Sequence, residues 1–413
     1  MAITDKKQGV WDTEEVYNKQ NEGGWSYSST GSGKALWGWG YNNFGNLGLN
    51  NKTTYKSPKQ VGTDTTWASL QGSYSKNYLA IKSDGTLWSW GLNQKGMLGH
   101  NAIHPAGNLS SPTQIPGTNW RSIGNISSEA YYATKFDGTL WAWGSNTNGI
   151  LGLNDNQQRS SPCQVGTDTT WNILNQGSAA SSAVAAAIKT DGSMWAWGNN
   201  QYGSLGQGNR TRLSSPVQVG SETTWKSFTE TNVSIAAIKG DGTLWTWGYN
   251  ENGVLGLNTP FAAPGPGSRS SPTQVGTDTT WDVMFSDGTE SFFARKTDGT
   301  LWSWGYNGWG QLGDLSRTSR SSPVQVLGDT GWSDTGAFGE NTIATIKNDG
   351  TAWAWGDNEY GDLGQNEGAN ARESSPVQIG TDTNWYVRTA VDPDYMRTIS
   401  GSLNSFMALR TPS

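Results

Sequence analysis

The chain repeats one pattern of apolar and polar positions seven times. In its clearest copy, an Asp84-Gly85 pair precedes an alternating segment in which Trp88 and Trp90 are two residues apart. Because successive side chains of a strand point to opposite faces, both tryptophans lie on one face of an extended segment. An Asp-Gly pair favours a tight hairpin, predicted here as a type I′ turn. The segment is therefore predicted to be one half of a β-hairpin.

The tryptophan pair recurs at intervals of roughly 50 residues. The seven pairs are Trp37/Trp39, Trp88/Trp90, Trp141/Trp143, Trp195/Trp197, Trp245/Trp247, Trp302/Trp304 and Trp353/Trp355. A period of this length indicates a repeat protein with one supersecondary unit per copy.

Each copy is also predicted to contain four short strands. The tryptophan strand is followed by an Asn-x-x-Gly-x-Leu-Gly turn, as in residues 42–48, and then by Ser-Pro-x-Gln-Val/Ile, as in residues 57–61. A Thr-Trp strand at residues 66–67 and an apolar strand at residues 79–82 complete the unit. Alternating segments with this Gly, Pro and Asn punctuation predict one antiparallel sheet per repeat. The proline should begin a strand or lie on its edge, where a missing N–H is tolerated.

Seven such sheets predict an all-β fold, a seven-bladed β-propeller of four-stranded antiparallel blades. An open fan would leave two raw sheet edges, so closure is expected. The first tryptophan strand, residues 34–40, lacks a preceding partner, and residues 406–410 have no tryptophan strand after them. We therefore expect both termini to complete the last blade. The predicted organisation is an N-terminal anchoring extension, residues 1–30, and a propeller, residues 31–413.

Residues 1–30 contain no copy of the repeat. Asp12 or Thr13 is a candidate N-cap, and Glu14 and Glu15 would lie in the first helical turn. A short helix ending near residues 23–25 is predicted, and the alternative is a frayed tail.

Composition narrows the functional classes. The net charge is −6 and no run of lysines or arginines occurs, which argues against binding to nucleic acid or anionic membranes through overall charge. The mean hydropathy is −0.61, so the 24 tryptophans must supply much of the core. Cys163 is the only cysteine, which excludes a disulfide within the chain, and it is predicted to be small-core or half-buried. No segment resembles a signal peptide or a membrane span, so a soluble protein made in a cytoplasm is expected.

No catalytic or metal-binding constellation emerges. The two histidines, His100 and His104, lie in one loop, and the Asp-Gly pairs recur as turn residues. The protein is therefore predicted to be non-enzymatic and to need no cofactor or metal.

A base precedes every turn aspartate by two positions. These six bases are Lys82, Lys135, Lys189, Lys239, Lys296 and Lys347, and Arg410 takes the same place in the closing strand, where no turn aspartate follows. A small residue two positions earlier, usually alanine, places this strand next to the propeller axis. Sevenfold symmetry then predicts a basic ring at one mouth of the channel, which could bind an anion or an acidic partner. The alternative is that each base neutralises an aspartate of the turns.

The tryptophan pairs also allow two interpretations. An aromatic ladder can bind sugars, whereas a tryptophan present in every blade also suits packing between blades.

The motif Trp-x-Trp-Gly-x-Asn-x-x-Gly-x-Leu-Gly, with Asp-Gly before it, resembles the regulator-of-chromosome-condensation repeat family. The resemblance covers residues 31–410 and implies a seven-bladed propeller whose last blade is clasped by both termini. It also implies nucleotide exchange on a small GTPase and chromatin binding as family activities. The histidine that the family carries seven positions before the turn aspartate is absent. The corresponding residues are Asn77, Ala130, Val184, Ser234, Ser291 and Thr342.

The first thirty residues carry a second resemblance. Residues 9–11, 14–17 and 24–25 look like the openings of virion and fibre proteins of tailed phages. The sequence hypothesis is a virion structural or adhesive protein, located in the virion and displaying its propeller to other virion proteins, a host receptor or a glycan. A regulatory propeller with exchange activity and a sugar-binding module are the alternatives. The residues predicted to contact partners are Trp11, Val16, Tyr17, Trp25, Phe261 and Tyr395.

Overall fold

The computed structural model describes residues 33–102, 107–127, 129–175, 184–259, 267–328, 330–339, 341–366, 372–388, 398–402 and 404–411. In this part, 28 strands form seven four-stranded antiparallel sheets. The seven-bladed all-β propeller predicted from the repeats is therefore confirmed. The helices in the same ranges are three-residue 3₁₀ turns, far too short to cross a membrane: Gln94–Gly96, Thr147–Gly149 and Glu251–Gly253.

Six sheets use four strands that follow one another along the chain. With strands numbered from the N-terminus, they are β3 (Trp67–Ser73), β4 (Asn77–Lys82), β5 (Leu87–Gly91) and β6 (Leu109–Ile115); β7 (Trp120–Ser127), β8 (Ala130–Lys135), β9 (Leu140–Gly144) and β10 (Arg159–Gln164); β11 (Trp171–Leu174), β12 (Val184–Lys189), β13 (Met194–Gly198) and β14 (Leu213–Gln218); β15 (Trp225–Glu230), β16 (Ser234–Lys239), β17 (Leu244–Gly248) and β18 (Arg269–Gln274); β19 (Trp281–Ser286), β20 (Ser291–Lys296), β21 (Leu301–Gly305) and β22 (Arg320–Gln325); and β23 (Trp332–Phe338), β24 (Thr342–Lys347), β25 (Ala352–Gly356) and β26 (Glu373–Gln378).

The seventh sheet joins both ends of the propeller. It contains β27 (Ile399–Ser402), β28 (Ser405–Arg410), β1 (Ala35–Gly40) and β2 (Tyr55–Gln60), in that spatial order. In the β1–β28 ladder, Trp37 is opposite Ala408 and Trp39 is opposite Phe406. This is the pairing expected from the sequence, and it closes the fan of sheets into a ring.

The strand order defines an inside and two faces. The first strands of successive sheets contact one another, as β3 does with β7 and β27, so they lie nearest the axis. The alanine-rich strand that ends in a base is the second strand, not the innermost one predicted from its small residues. Connections from first to second and from third to fourth strands share one end of the propeller, here called the loop face. The Asp-Gly turns and the connections between sheets share the other end, here called the turn face.

The Ser-Pro strand is the outer edge of every sheet, as predicted for a residue without an N–H. In the ladder between β5 and β6, Ser89 is opposite Thr113 and Gly91 is opposite Leu109, so three residues around Pro112 are opposite one tryptophan. This bulge lets the edge strand carry proline without breaking the rest of the ladder.

The second tryptophan of each pair forms the core between neighbouring sheets. Trp90 is fully buried, and its indole N–H donates to the backbone O of Asn46 in the preceding sheet at 2.9 Å. The other six make the same bond to the preceding sheet: Trp39 to Asp362, Trp143 to Met97, Trp197 to Ile150, Trp247 to Ser204, Trp304 to Val254 and Trp355 to Gln311. The packing interpretation of these tryptophans is confirmed.

The repeated asparagine and serine hold the loops in place. Asn93 Oδ1 accepts a hydrogen bond from the backbone N–H of Leu98, which closes the loop after the tryptophan strand. Further along the same loop, the N–H of Asn101 donates to the O of Ser160 in the next sheet at 2.7 Å. Equivalent bonds recur around the ring, so each loop fastens its sheet to the following one.

The Asp-Gly turn differs from the predicted type I′ geometry. Gly85 has φ of 75°, but Asp84 is not among the described residues with positive φ. Its carboxylate instead accepts hydrogen bonds from the backbone N–H and the hydroxyl of Thr86. The aspartate is therefore used as a side-chain cap, and a three-residue loop ending in a left-handed glycine replaces the two-residue turn.

Candidate functional site

Each of the seven bases lies between two tryptophan rings near the turn face. Lys189 Nζ is 3.6 Å from the ring centroid of Trp195 and 4.8 Å from that of Trp171. The ammonium also pairs with Asp168 at 2.5 Å. A cation over the face of an aromatic ring is stabilised by the ring quadrupole. We call this arrangement the tryptophan clamp.

The clamp recurs with small variations. The other bases lie over Trp67 and Trp88, Trp120 and Trp141, Trp225 and Trp245, Trp281 and Trp302, Trp332 and Trp353, and Trp37 and Trp385. Acidic partners in the described part of the chain are Asp64, Asp168, Glu222, Asp278 and Asp382. The acids belong to the connections between sheets, not to the Asp-Gly turns.

These contacts bear on the two interpretations of the bases. A clamped base already has a tryptophan ring on two sides and, in five repeats, an acid beside it. The bases are on the second strands, one strand further from the axis than the sequence interpretation placed them. A shared anion-binding ring at the channel mouth stays a prediction, and none of these contacts supports it.

The clamp changes the acidity of its carboxylate. The hydrogen bond from Lys296 is the main cause that lowers the pKa of Asp278 to about 2. A depressed carboxyl pKa contributes stability above the pKa of the unfolded chain, and this contribution is lost as the pH falls towards 2.

We expect a Lys296→Met variant to raise the pKa of Asp278 towards its ordinary value of 3.8. The variant should also lose about 0.5–2 kcal/mol of unfolding free energy, because Lys296 contacts two tryptophan rings. Carboxyl ¹³C NMR titration measures the first effect and urea denaturation the second. Lys135→Met is the matched control, since Lys135 lies between Trp120 and Trp141 and has no acidic partner among the described residues. A pKa of Asp278 that stays near 2 in the Lys296 variant would contradict this account.

Polar side chains of the first strands connect the sheets close to the axis. Asn175 Nδ2 donates to the backbone O of Asn125 at 3.3 Å, and Thr229 Oγ1 donates to Ser286 Oγ at 2.9 Å. The Ser286 hydroxyl in turn donates to the backbone O of Glu230. All five residues are fully buried. This part of the ring is therefore joined by side-chain hydrogen bonds as well as by apolar packing.

Glu230 is the unusual member of this polar group. The side chain is fully buried, and within the described residues neither carboxylate oxygen has a hydrogen-bond partner of good geometry; the backbone N–H of Ala186 is the one group that favours the ionised form. Burial raises its pKa well above the ordinary value. The pKa of the buried Tyr132 is also raised, first by its own burial and then by the charge of Glu230. Glu230 is therefore expected to hold a proton more tightly in the folded chain than in the unfolded chain.

A Glu230→Gln variant is expected to be about 1–3 kcal/mol more stable than the wild type at pH 7, because ionisation of Glu230 stabilises the unfolded wild-type chain and glutamine cannot ionise. The sign follows from the raised pKa. The wild-type unfolding free energy falls as the pH rises above the unfolded pKa, because only the unfolded chain then ionises. At pH 4 the two proteins should differ little. Urea denaturation from pH 4 to pH 8 measures this, with exposed Glu359→Gln as the control. A constant difference across this range would contradict the assignment.

The loop face carries an aromatic pocket at the junction of three sheets. Tyr202 and Tyr249 contact each other with ring centroids 4.4 Å apart and an interplanar angle of 37°. Glu251 and Glu290 line the same pocket, which has a volume of about 200 Å³. Both rings and Glu290 are half-buried, and Glu251 is exposed. We call this site the tyrosine pocket.

A larger cavity, of about 340 Å³, lies beside the seventh clamp. Trp37, Asp382, Trp385 and Arg410 contribute to its wall. Arg410 pairs with Asp382 at 2.7 Å, so the two charges in this wall neutralise each other.

The predicted partner-contacting residues are not placed by the structure. Trp11, Val16, Tyr17, Trp25, Phe261 and Tyr395 all lie outside the described residues, as does the predicted anchoring helix. Within the described ranges, no group of three or more His, Cys, Asp or Glu side chains is arranged to hold a metal ion. Cys163 is half-buried, as predicted.

Sequence reasoning missed Glu230 and the tyrosine pocket. Glu230 is at the position of the smaller Asn125 in β7, and Glu290 is at the position of Lys76, directly before a second strand. A position-by-position comparison of the seven copies would have identified these residues.

Comparison with known proteins relates this chain to one family of repeat proteins. A family model described as "Regulator of chromosome condensation (RCC1) repeat" matches residues 35–70, 84–127, 137–175, 191–234, 241–283, 298–335 and 349–390. The ultraviolet-B receptor UVR8 of Arabidopsis thaliana is 26% identical over 360 residues, covering 84% of this chain and 66% of the receptor. The E3 ubiquitin-protein ligase HERC2 of Homo sapiens is 25% identical over 350 residues, covering 82% of this chain but 6% of the ligase. The chain thus spans less than two thirds of the length of these relatives.

Solved structures show the same fold. Prp20p from Saccharomyces cerevisiae superposes with a TM-score of 0.74 at 18% identity, covering 93% of each chain. Human WBSCR16 gives a TM-score of 0.72 at 16% identity, covering 92% of this chain and 99% of the other. At this level of identity the likeness concerns the architecture alone.

Proposed function

Since the chain belongs to the regulator of chromosome condensation (RCC1) repeat family, we propose that it is a regulatory protein-binding propeller that recognises its partner through the loop face. In this proposal the propeller acts by binding and performs no chemistry of its own.

The observation that carries the proposal is the use of the repeated residues. The second tryptophans, the clamped bases and the loop asparagines are all engaged in contacts within the ring, as for Trp90, Lys189 and Asn93. Residues that recur in every blade therefore build the scaffold. The repeats differ from one another mainly in the loops between their third and fourth strands, and these loops all lie on the loop face. Rigid scaffolds that present variable loops are typical of binding proteins.

The relatives support a role in binding proteins. They include a receptor and ubiquitin ligases, and the Prp20p structure is titled with its binding to Gsp1p and histones. A second structure shows yeast RCC1 bound to Kap60. None of these relatives is named as a virion component, so the regulatory alternative replaces the virion hypothesis as the leading one. The virion hypothesis stays a prediction that depends on residues 1–30.

The experiment compares the two faces. One variant carries Asn43→Lys, Gln94→Lys and Gln201→Lys on the loop face, and its matched control carries Thr63→Lys, Thr167→Lys and Thr277→Lys on the turn face; all six side chains are exposed. Proteins retained from a lysate of the native host are quantified by mass spectrometry for both variants and the wild type. We expect specific partners to be lost with the loop-face variant alone. Equal retention by both variants, or loss with the turn-face variant alone, would refute the proposal.

Two narrower activities can be measured on the same proteins. Release of a fluorescent GDP analogue from Gsp1p tests nucleotide exchange, which the missing family histidines disfavour. A glycan array tests sugar binding, which the burial of the second tryptophans disfavours, because residues such as Trp90 have no exposed ring face.

A further inference from the structure

The tyrosine pocket is assembled from three consecutive sheets. Tyr202 comes from the loop after β13, and Tyr249 and Glu251 from the loop after β17. Glu290 comes from the hairpin between β19 and β20. The two rings and the two carboxylates line the same space. The pocket thus combines π-faces with negative charge in a space large enough for one side chain.

The electrostatic environment of the pocket changes the pKa values of Glu290 and Tyr249. Burial raises the pKa of Glu290, and the nearby Glu251 raises it further. The pKa of Tyr249 is also raised, first by burial and then by the charge of Glu251. Glu290 accepts a hydrogen bond from Asn252, but neither acid has a basic partner in the described part of the chain. The charge of this site is therefore not neutralised from within.

A second tyrosine pair, at an equivalent junction between sheets, has a lysine over one of its aromatic rings. Tyr41 occupies the position of Tyr249, directly after the Trp-Gly of the third strand, and its ring is 5.3 Å from that of Tyr360. Lys76 occupies the position of Glu290, directly before the second strand. Its Nζ lies 5.0 Å from the centroid of Tyr41. This junction therefore supplies its own cation to its aromatic rings.

A second internal example has the same chemistry. On the loop face, the guanidinium of Arg372 lies 4.0 Å from the ring centroid of Trp309 and pairs with Asp357. In contrast, no lysine or arginine within the described ranges lies over Tyr202 or Tyr249. At the tyrosine pocket, Glu290 holds the position that Lys76 holds at the Tyr41 junction.

We propose that the tyrosine pocket binds one lysine or arginine side chain of a partner protein, with the cation over Tyr202 and Tyr249 and paired with Glu251 and Glu290. The inference rests on the proposed protein-binding function and gives it a chemical specificity. Aromatic rings combined with carboxylates recognise ammonium and guanidinium groups through the ring quadrupole and the ion pair together. The occupant is a protruding basic residue, because the pocket volume fits a single side chain.

The test uses small defined probes and tyrosine-labelled protein. Tyrosine ring signals of the ¹³C-labelled chain are followed by NMR during titration with acetyl-Gly-Lys-Gly-amide, its arginine analogue and its norleucine analogue. Norleucine keeps the apolar stem of lysine and lacks the charge. We expect saturable shifts of Tyr202 and Tyr249 with the two basic peptides and none with norleucine. Equal shifts with norleucine, or shifts of other tyrosines only, would overturn the proposal.

Two exchanges at the equivalent positions sharpen the test. Glu290→Lys places a base where Lys76 lies at the other junction, and it should fill the pocket and weaken peptide binding at least tenfold. Lys76→Glu should create a second site, with new lysine-dependent shifts at Tyr41. Thermal unfolding of both variants shows whether they are folded. Unchanged peptide affinity in folded Glu290→Lys would refute the site.

The outcome is separable from that of the proposed function. If the pocket binds basic peptides while the loop-face variant keeps every partner, the site exists and the loop-face function is wrong. If the partners are lost with the loop-face variant while basic peptides do not bind, the function stands and this pocket is not its recognition site.

Discussion

A Trp143→Ala variant is expected to lose about 3–5 kcal/mol of unfolding free energy, the usual cost of removing a buried tryptophan side chain. Trp143 is fully buried, and its ring centroid is 6.1 Å from that of Tyr131 and 6.2 Å from that of Trp120. Its N–H also donates to the O of Met97 at 2.8 Å, which joins two sheets. Truncation therefore creates a cavity and leaves a buried carbonyl without a donor. Urea denaturation followed by tryptophan fluorescence measures the loss.

The neighbouring tryptophan provides the control for this prediction. Trp141 is half-buried, and its N–H donates to Thr139 within its own repeat. Trp141→Ala should therefore be less destabilising than Trp143→Ala. The structural ranking of the two tryptophans is wrong if the order of the two losses is reversed.

Deleting residues 405–413 is expected to abolish cooperative folding of the propeller. The deletion removes β28, which pairs with β1 on one side and β27 on the other. It also removes the buried side chains of Phe406, Met407 and Leu409. Two strands would then present unpaired edges, which favours association with other chains. We expect a broad thermal transition and aggregates on size-exclusion chromatography.

A shorter deletion is the matched control. Removing residues 412–413 leaves β28 complete and also keeps Thr411, whose N–H donates to the O of Asn384. This protein should unfold in one sharp transition at nearly the wild-type temperature. A cooperative, monomeric protein after the longer deletion would show that the ring does not need its closing strand.

The fold could be predicted because the same pattern of strands and turns occurs seven times in the sequence. Alternation around Trp88 and Trp90 gives a strand, and the period gives the blade count. The missing partners of the first and last strands give the closure. Single residues within a blade were also predictable where one local interaction decides their place, as with the edge proline at Pro112.

Contacts between blades were not predictable from a single copy. The order of strands in a blade decides that Lys189 lies between Trp171 and Trp195, and the sequence interpretation had placed its strand next to the axis. The Asp-Gly turn was misjudged because the hydrogen bonds of Asp84 to Thr86 compete with the expected geometry. The tyrosine pocket needs residues from three blades, so no local pattern contains it.

The seam between β1 and β28 carries a topological consequence. Ala35 and Arg410 are cross-strand partners at the turn face, where a short turn links the corresponding strands of every other sheet. A similar linker between Gly33 and Thr411 would make the backbone of the ring continuous. New ends could then be opened at another turn, such as Asp241-Gly242. Circular permutants of the ring would thus share one native structure, although their blades are synthesised in a different order.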